Sequence, residues 1–315
     1  MQSAIALGER GRGRTAPNPN VGCVIVRDDI VVGRGWTQPG GRPHAEQVAL
    51  EQAGAGAADA DVYVTLEPCA HRSVRGPTCA DLLIDAKPAR VVIATGDPDP
   101  RTNGSGIARL REAGIEVAAG VEAAAAERSL AGFLARIRLG RPYVTLKLAM
   151  SIDGKIALPS GESRWITGED ARAHVHLERA RADMILVGRG TYEADAPRLD
   201  VRLPGLEERS PRRALLTRGD PVQGWTRLGS PEAIYELTDV NDLLVEGGSA
   251  TATAFLTADL VDRMLVYRAP ILIGDGKSSV GYVGLEGIAD AHNRWQLTET
   301  RLLGIDRLEV YERLR

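Results

Sequence analysis

Short apolar runs alternate with amphipathic stretches along almost the whole chain. Val21–Val26 and Ile30–Gly35 flank Asp28-Asp29 and read as the two strands of a hairpin. A helix is predicted from near His44 to Ala53, where Gly54 and Gly56 stop it. Asp61–Thr65 and Arg90–Thr95 are short buried-strand patterns, with the helical stretch Ala80–Ala86 between them. A polar, turn-rich loop at Gly96–Gly106 precedes one more helix, Ile107–Ala113, and one more strand, Ile115–Ala118. This ββαβαβαβ order argues for a three-layer α/β/α domain with helices on the sheet faces.

Leu130, Phe133, Leu134 and Ile137 fall at helical spacing within Val121–Arg138, which ends at Gly140 with Pro142 just beyond. The domain boundary is predicted there, giving domains 1–141 and 142–315. The pattern restarts with a strand at Tyr143–Met150, turn residues at Asp153-Gly154, a helix from about Glu169 to Ala182 with Thr167 as its N-cap, and a strand at Met184–Val187. Ala214–Thr217, Asp242–Glu246, Arg263–Ala269 and Arg307–Tyr311 are further strands, and Ala250–Thr257 is helical. The second half is therefore a separate α/β domain.

Composition sharpens this picture in three ways. A length of 315 residues suits two domains. With 39 basic against 42 acidic residues and 4% aromatics, the chain lacks the basic groove and stacking platforms that nucleic acids require. Three cysteines, Cys23, Cys69 and Cys79, are too few for a disulfide framework and fit a reducing compartment. No apolar run reaches membrane-span length, and Met1–Arg14 does not read as a signal peptide, so a cytoplasmic protein is expected.

The candidate chemistry begins at His44-Ala45-Glu46, which opens a helix. Pro68-Cys69 lies in the loop after a strand and Cys79 begins the next helix. One imidazole and two thiolates suit Zn²⁺ and leave a fourth position for water, whose pKa zinc lowers to about 7. Glu46, two residues from a ligand and not itself one, can take the water's proton and pass it to a leaving amine. H-x-E followed by P-C and a second Cys is the signature of zinc nucleobase deaminases. Residues 70–78 between the cysteines make a wider gap than the C-x-x-C of simple deaminases, and Cys23 reads as strand filler.

Residues 14–26 (R-T-A-P-N-P-N-V-G-C-V-I-V), H-A-E at 44–46, T-L-E-P-C-A-H at 65–71 and P-T-C-A-D-L-L-I at 77–84 closely resemble the riboflavin-biosynthesis deaminase/reductase family. The resemblance covers nearly the whole chain. It implies an N-terminal cytidine-deaminase-like zinc domain and a C-terminal dihydrofolate-reductase-like domain. The implied reactions are deamination of 2,5-diamino-6-ribosylamino-4(3H)-pyrimidinone 5′-phosphate and NADPH-dependent reduction of the ribosyl group. The partner implied is thus a small phosphorylated pyrimidine, with neither nucleic acid nor membrane, in a homodimer or larger assembly. By position, His44, Cys69 and Cys79 match the zinc ligands and Glu46 the proton shuttle, while Asn20 and His71 match substrate contacts. Thr37 stands where the family usually has a histidine, the inter-cysteine loop is one residue longer, and Arg75 replaces the family's basic residue there.

In the second domain, Lys147 and Ala149 fall on the family's nicotinamide-cleft strand. Ser163, Arg179, Leu199, Arg202 and Glu246 match substrate contacts, with Arg179 suited to fork onto a phosphate. Trp165, Thr191 and Asp195 match cofactor contacts, and V-E-G-G-S at 245–249 matches the turn whose Gly248, Ser249, Ala250, Thr251, Ala252, Thr253 and Ala254 line the NADP pyrophosphate. Ala196 and Asp200 depart from the family's Asp and Thr. Only 39 residues lie between Arg202 and Asp242, so the reductase domain is shortened there and is expected to retain one strand. Three competing readings are a deaminase with a degenerate reductase, a binding protein with structural zinc, and a nucleic-acid deaminase.

Overall fold

A computed structural model describes residues 1–71 and 76–315. The chain divides into two compact units, Met1–Arg141 and Pro142–Arg315.

The first unit runs α1 (Gln2–Gly8), β1 (Gly22–Arg27), β2 (Ile30–Trp36), α2 (Ala45–Ala53), β3 (Asp61–Leu66), α3 (Cys79–Ala86), β4 (Arg90–Thr95), α4 (Ser105–Glu112), β5 (Glu116–Ala119), α5 (Ala123–Ser129) and α6 (Ala131–Leu139). Its five strands lie in the order β2-β1-β3-β4-β5. β1 pairs antiparallel with β2 and β3, and β3, β4 and β5 are parallel. The hairpin turns on Asp28 and Asp29, both at positive φ, which short carboxylate residues tolerate. Helix α2 lies so close to β2 that a Cβ at Gly35 would sit 2.1 Å from the Ala45 carbonyl oxygen. Cys23, Ile25, Val62, Val64, Val91, Ile93, Leu83 and Leu110 are fully buried in the core.

Val121–Arg138 reads as one helix but forms two, α5 and α6, meeting at Leu130. At the joint the Asn20 amide donates to the Ser129 carbonyl (3.2 Å) and the Ser129 hydroxyl donates to Glu9 (2.6 Å). Neither tie is visible in helical periodicity.

The second unit contains β6 (Tyr143–Met150), β7 (Lys155–Ala157), α7 (Glu169–Ala180), β8 (Met184–Gly188), α8 (Arg189–Asp195), β9 (Arg212–Leu216), β10 (Thr226–Leu228), β11 (Asp242–Val245), α9 (Ser249–Thr257), β12 (Arg263–Arg268), β13 (Lys277–Ser278), β14 (Trp295–Leu303) and β15 (Asp306–Arg313). Eight strands form one sheet in the order β10-β9-β8-β11-β6-β12-β15-β14. The run from β10 to β12 is parallel, and β15 and β14 close that edge as an antiparallel hairpin. The stretch between Arg202 and Asp242 holds two strands, β9 and β10, rather than one. Thr167 is not the cap of α7. Gly168 occupies that place, and the Asp306 carboxylate, brought in from β15, accepts its N–H at 2.6 Å. No helix among the described residues is long and apolar enough to cross a membrane.

Asp183, just before β8, accepts the N–H groups of Asn241 and Asp242 at 2.9 Å each and so aligns the start of β11. Burial, with the Asp242 carboxylate nearby, pushes its carboxyl up to about 6. The folded state therefore holds this proton more tightly than the unfolded chain. Its stabilising contribution is complete below the ordinary carboxylate range and is lost as pH rises through about 6. Asp183→Asn keeps an acceptor oxygen for both N–H groups and is expected to add about 1–2 kcal/mol above that pH. Melting curves should show a higher Tm for the variant at pH 8 and none of that gain at pH 4. The same shift at both would remove the assignment.

Candidate active sites

In the first unit, β3 ends at Leu66 and delivers Cys69, while His44 caps α2 and Cys79 opens α3. The ligand atoms of His44, Cys69 and Cys79 all lie within 4.8 Å of one another. His44 Nδ1 is 3.2 Å from the Cys79 sulfur and 3.7 Å from that of Cys69, so Nδ1 is the nitrogen facing the thiols. A soft, compact N/S₂ set of this kind fits zinc. The Cys79 thiol and its backbone N–H (3.3 Å) both point at the Cys69 sulfur, which holds Cys69 down at about 4. That shared proton raises Cys79. Glu46 is 3% exposed beside the trio, and burial raises its carboxyl.

Asn20 is not placed as a ring contact. Its amide is used by the Gly8 carbonyl and by Ser129. Asn18, two residues earlier, sits at the metal trio instead: its Nδ2 is 3.4 Å from His44 Nε2 and donates to the Gly41 carbonyl at 2.7 Å. The repeated Asn in P-N-P-N offered both candidates. Thr37 is 1% exposed and exchanges hydrogen bonds with Val21, its hydroxyl accepting the Val21 N–H at 3.0 Å. It locks the Asn-rich loop to the end of β2. His71 Nδ1 is 3.3 Å from the Thr102 hydroxyl, and Arg75 lies outside the described residues.

Gly96–Gly106, which reads as a plain polar loop, is built around a buried acid. The Glu67 carboxylate, 3% exposed, accepts the N–H groups of Asp97, Gly104, Gly106 and Ile107, the last three at 2.9–3.2 Å. This fixes the N-terminus of α4 against the segment that carries Cys69. Burial pushes Asp97 in the same loop up to about 6, and its hydrogen-bonded neighbour Arg101 holds Asp99 at about 2.

In the second unit a cavity of about 620 Å³ lies at the carboxyl ends of β6, β8 and β11. Ligands bind there in parallel α/β sheets generally. Ala149, Ser163, Trp165, Arg179, Thr191, Asp195, Leu199, Arg202 and Glu246 all line it, as does Lys147. On its wall Arg179 grips Glu246 bidentately, Nε to Oε1 at 2.7 Å and Nη2 to Oε2 at 2.9 Å, and its Nη1 donates to the Asp200 carbonyl at 3.0 Å. The expected phosphate fork is therefore committed to a carboxylate. Lys147 Nζ lies 3.9 Å from Glu246 Oε2, the oxygen that Arg179 Nη2 also binds, and burial lowers its pKa. Asp200, by contrast, draws together Arg198 (2.8 Å) and Arg202 (2.9 Å), both well exposed. Trp165 is 69% exposed with the Arg172 guanidinium 4.8 Å from its ring centre.

The Gly-Gly turn needs a narrower reading. A Cβ at Gly247 would come 2.3 Å from that of Thr251, so this glycine seats α9 on the strand end. Ala252 is fully buried and Thr251 nearly so, which removes both side chains from any ligand surface. Ala250 is exposed and Ser249, Thr253 and Ala254 are half-buried, with Gly248 N–H donating to the Thr191 hydroxyl at 3.3 Å.

A zinc-type deaminase unit followed by a parallel-sheet reductase unit is the class these features define. Residues 1–95 match the model of the cytidine and deoxycytidylate deaminase zinc-binding region, and residues 142–308 match the RibD C-terminal domain. The chain belongs to the RibD family of riboflavin biosynthesis proteins. It is 41% identical to riboflavin biosynthesis protein RibD of Escherichia coli over 355 aligned positions, covering 97% of this chain and 96% of that one. Mycobacterium tuberculosis RibD is also 41% identical, covering 98% and 95%. The structure of Acinetobacter baumannii RibD superposes with a TM-score of 0.88 at 36% identity, covering 100% of this chain and 98% of that chain. A Thermotoga maritima diaminohydroxyphosphoribosylaminopyrimidine deaminase/5-amino-6-(5-phosphoribosylamino)uracil reductase superposes with a TM-score of 0.89 at 30% identity, covering 100% and 97%. Both domains of the family are present, so the deaminase-only and structural-zinc readings fall away.

Proposed function

We propose that this chain carries out two consecutive steps of riboflavin biosynthesis. It removes the 2-amino group of 2,5-diamino-6-ribosylamino-4(3H)-pyrimidinone 5′-phosphate by hydrolysis, then reduces the ribosyl group of the product to ribityl with NADPH. The observation that carries the reading is a three-ligand N/S₂ trio with a buried carboxylate, Glu46, beside it. Zinc held by His44, Cys69 and Cys79 would supply an acidified water. Glu46 takes a proton from that water and delivers it to the exocyclic 2-amino group, so that as the water oxygen bonds to C2 the C2–N bond breaks and ammonia leaves. In this reading Asn18 and His71 are the residues that hydrogen-bond the pyrimidine.

In the second unit NADPH supplies the hydride. Trp165, Thr191, Asp195 and the first turn of α9 bound its site, and the Lys147 ammonium, tethered by Glu246, is the proton-bearing group facing the reacting ribosyl. The substrate phosphate is received by Arg202 with Arg198, and Arg179 acts as a positioning residue for Glu246. The sheet edge β14, with Leu297 and Leu302 exposed and Ile305 exposed in the turn after it, is the docking surface for a second copy in a cytoplasmic homodimer or larger assembly.

A two-stage assay tests the reading. Ammonia should be released from the diaminopyrimidinone phosphate without NADPH, and NADPH should be consumed once it is added. Cys79→Ala should lose zinc and the first step while still oxidising NADPH with the deaminated substrate. Full zinc retention in that variant would sink the ligand assignment, and no NADPH consumption by the unaltered protein would remove the second activity.

A further inference from the structure

Residues 70–78 separate the two thiolates, and a long excursion between ligands leaves their spacing to be fixed by something other than the chain between them. The structure contains such a tie. Arg109, on α4, reaches across to both ends of the excursion. Its Nη1 donates to the Ala70 carbonyl at 3.1 Å, next to Cys69, and to the Thr78 hydroxyl at 3.5 Å, next to Cys79. Its Nη2 pairs with the Asp81 carboxylate in the first turn of α3. Thr78 caps that turn, its hydroxyl accepting the Asp81 N–H at 3.0 Å and donating to Asp81 Oδ2 at 2.7 Å. The Ala80 N–H donates to the Cys69 carbonyl at 3.2 Å, which closes the ring of bonds between the two cysteine segments.

Arg109 itself is not adrift. Glu67 holds the N-terminus of α4 through the backbone of Gly104, Gly106 and Ile107, two residues upstream of Cys69. The strand end that presents one ligand thus anchors the helix whose arginine binds the neighbours of both. We propose that Arg109 is a positioning residue that cross-ties the two cysteine-bearing segments and sets how tightly this chain holds zinc. The inference rests on the ligand assignment given above.

Magnitudes separate this role from general stabilisation. The side chains of Arg109 and Asp81 are 33% and 35% exposed. Such a half-exposed pair contributes too little to folding for its loss to unfold the unit. Groups that orient metal ligands, however, commonly change metal affinity about 10–100-fold when replaced.

The test uses the full chain loaded with zinc, as Arg109→Met, Arg109→Lys and the unaltered protein. Zinc transfer to an excess of a chromogenic chelator is timed, and melting is followed with and without zinc. Arg109→Met should release zinc about 10–100-fold faster. Arg109→Lys, which keeps the charge but not the fork, should fall between. The zinc-free Arg109→Met chain should melt within about 4 °C of the zinc-free unaltered chain, while the gain in Tm on zinc binding shrinks. Unchanged release rates, or an equal loss of Tm with and without zinc, would overturn the proposal. Cys79→Ala distinguishes the two failures: if it keeps zinc, the ligand reading is wrong, and if it loses zinc while Arg109→Met holds it normally, only the role of Arg109 falls.

Discussion

Glu46→Gln is expected to lower the rate of deamination by about 10²–10⁴-fold, the usual worth of a positioned general acid–base group. Glutamine preserves the size of the side chain and one acceptor oxygen, but it can neither take a proton from water nor return one to the departing amine. The residue sits in the first turn of α2, two positions from His44, and is 3% exposed. Zinc content should remain equal to that of the unaltered protein, since no ligand is touched, and NADPH oxidation with deaminated substrate should stay within about twofold. Ammonia release within tenfold of the unaltered rate would show that another group moves the proton.

Glu246→Gln should have the corresponding effect in the second unit. The Glu246 side chain is 6% exposed and is shared by Arg179 and Lys147, which are 14% and 22% exposed. Removing its charge leaves two buried cations facing each other. Breaking a buried ion pair by changing one partner typically costs about 3–5 kcal/mol. Part of this should appear as a lower Tm and part as displacement of Lys147 and Arg179 in the cavity. NADPH oxidation should drop at least about 100-fold, equivalent to roughly 2.7 kcal/mol, with ammonia release unaffected. An active variant would show that the charge on Glu246 is dispensable for holding Lys147.

The buried strands were the most legible part of the sequence. Arg90–Thr95 and Tyr143–Met150 are bounded in the structure as their apolar runs suggest. β14 was not legible, because most of its nine residues are exposed and an outer strand leaves no alternation of buried and open positions to read. The metal trio was legible because His44, Cys69 and Cys79 are chemically unusual residues at element boundaries. What surrounds it was not. Glu67 reads as one more charge in T-L-E-P-C, and nothing local says that its carboxylate will meet four N–H groups from a loop some 30–40 positions later. Arg179 shows the converse case. Its chemistry suits a phosphate, but long-range pairing with Glu246 decides how its fork is used. Asn18 and Asn20 differ only in which neighbours the fold brings to each.

The metal trio belongs wholly to residues before Arg141, and the lining of the reductase cavity wholly to residues after Pro142. Each unit also closes its own hydrophobic core. Selection can therefore tune the speed of one step through substitutions that leave the other untouched, as if the steps were on separate genes. The peptide bond between the units adds what separate genes would lack: every hydrolytic site is made with one reductive site, so synthesis of the chain fixes their ratio at one to one.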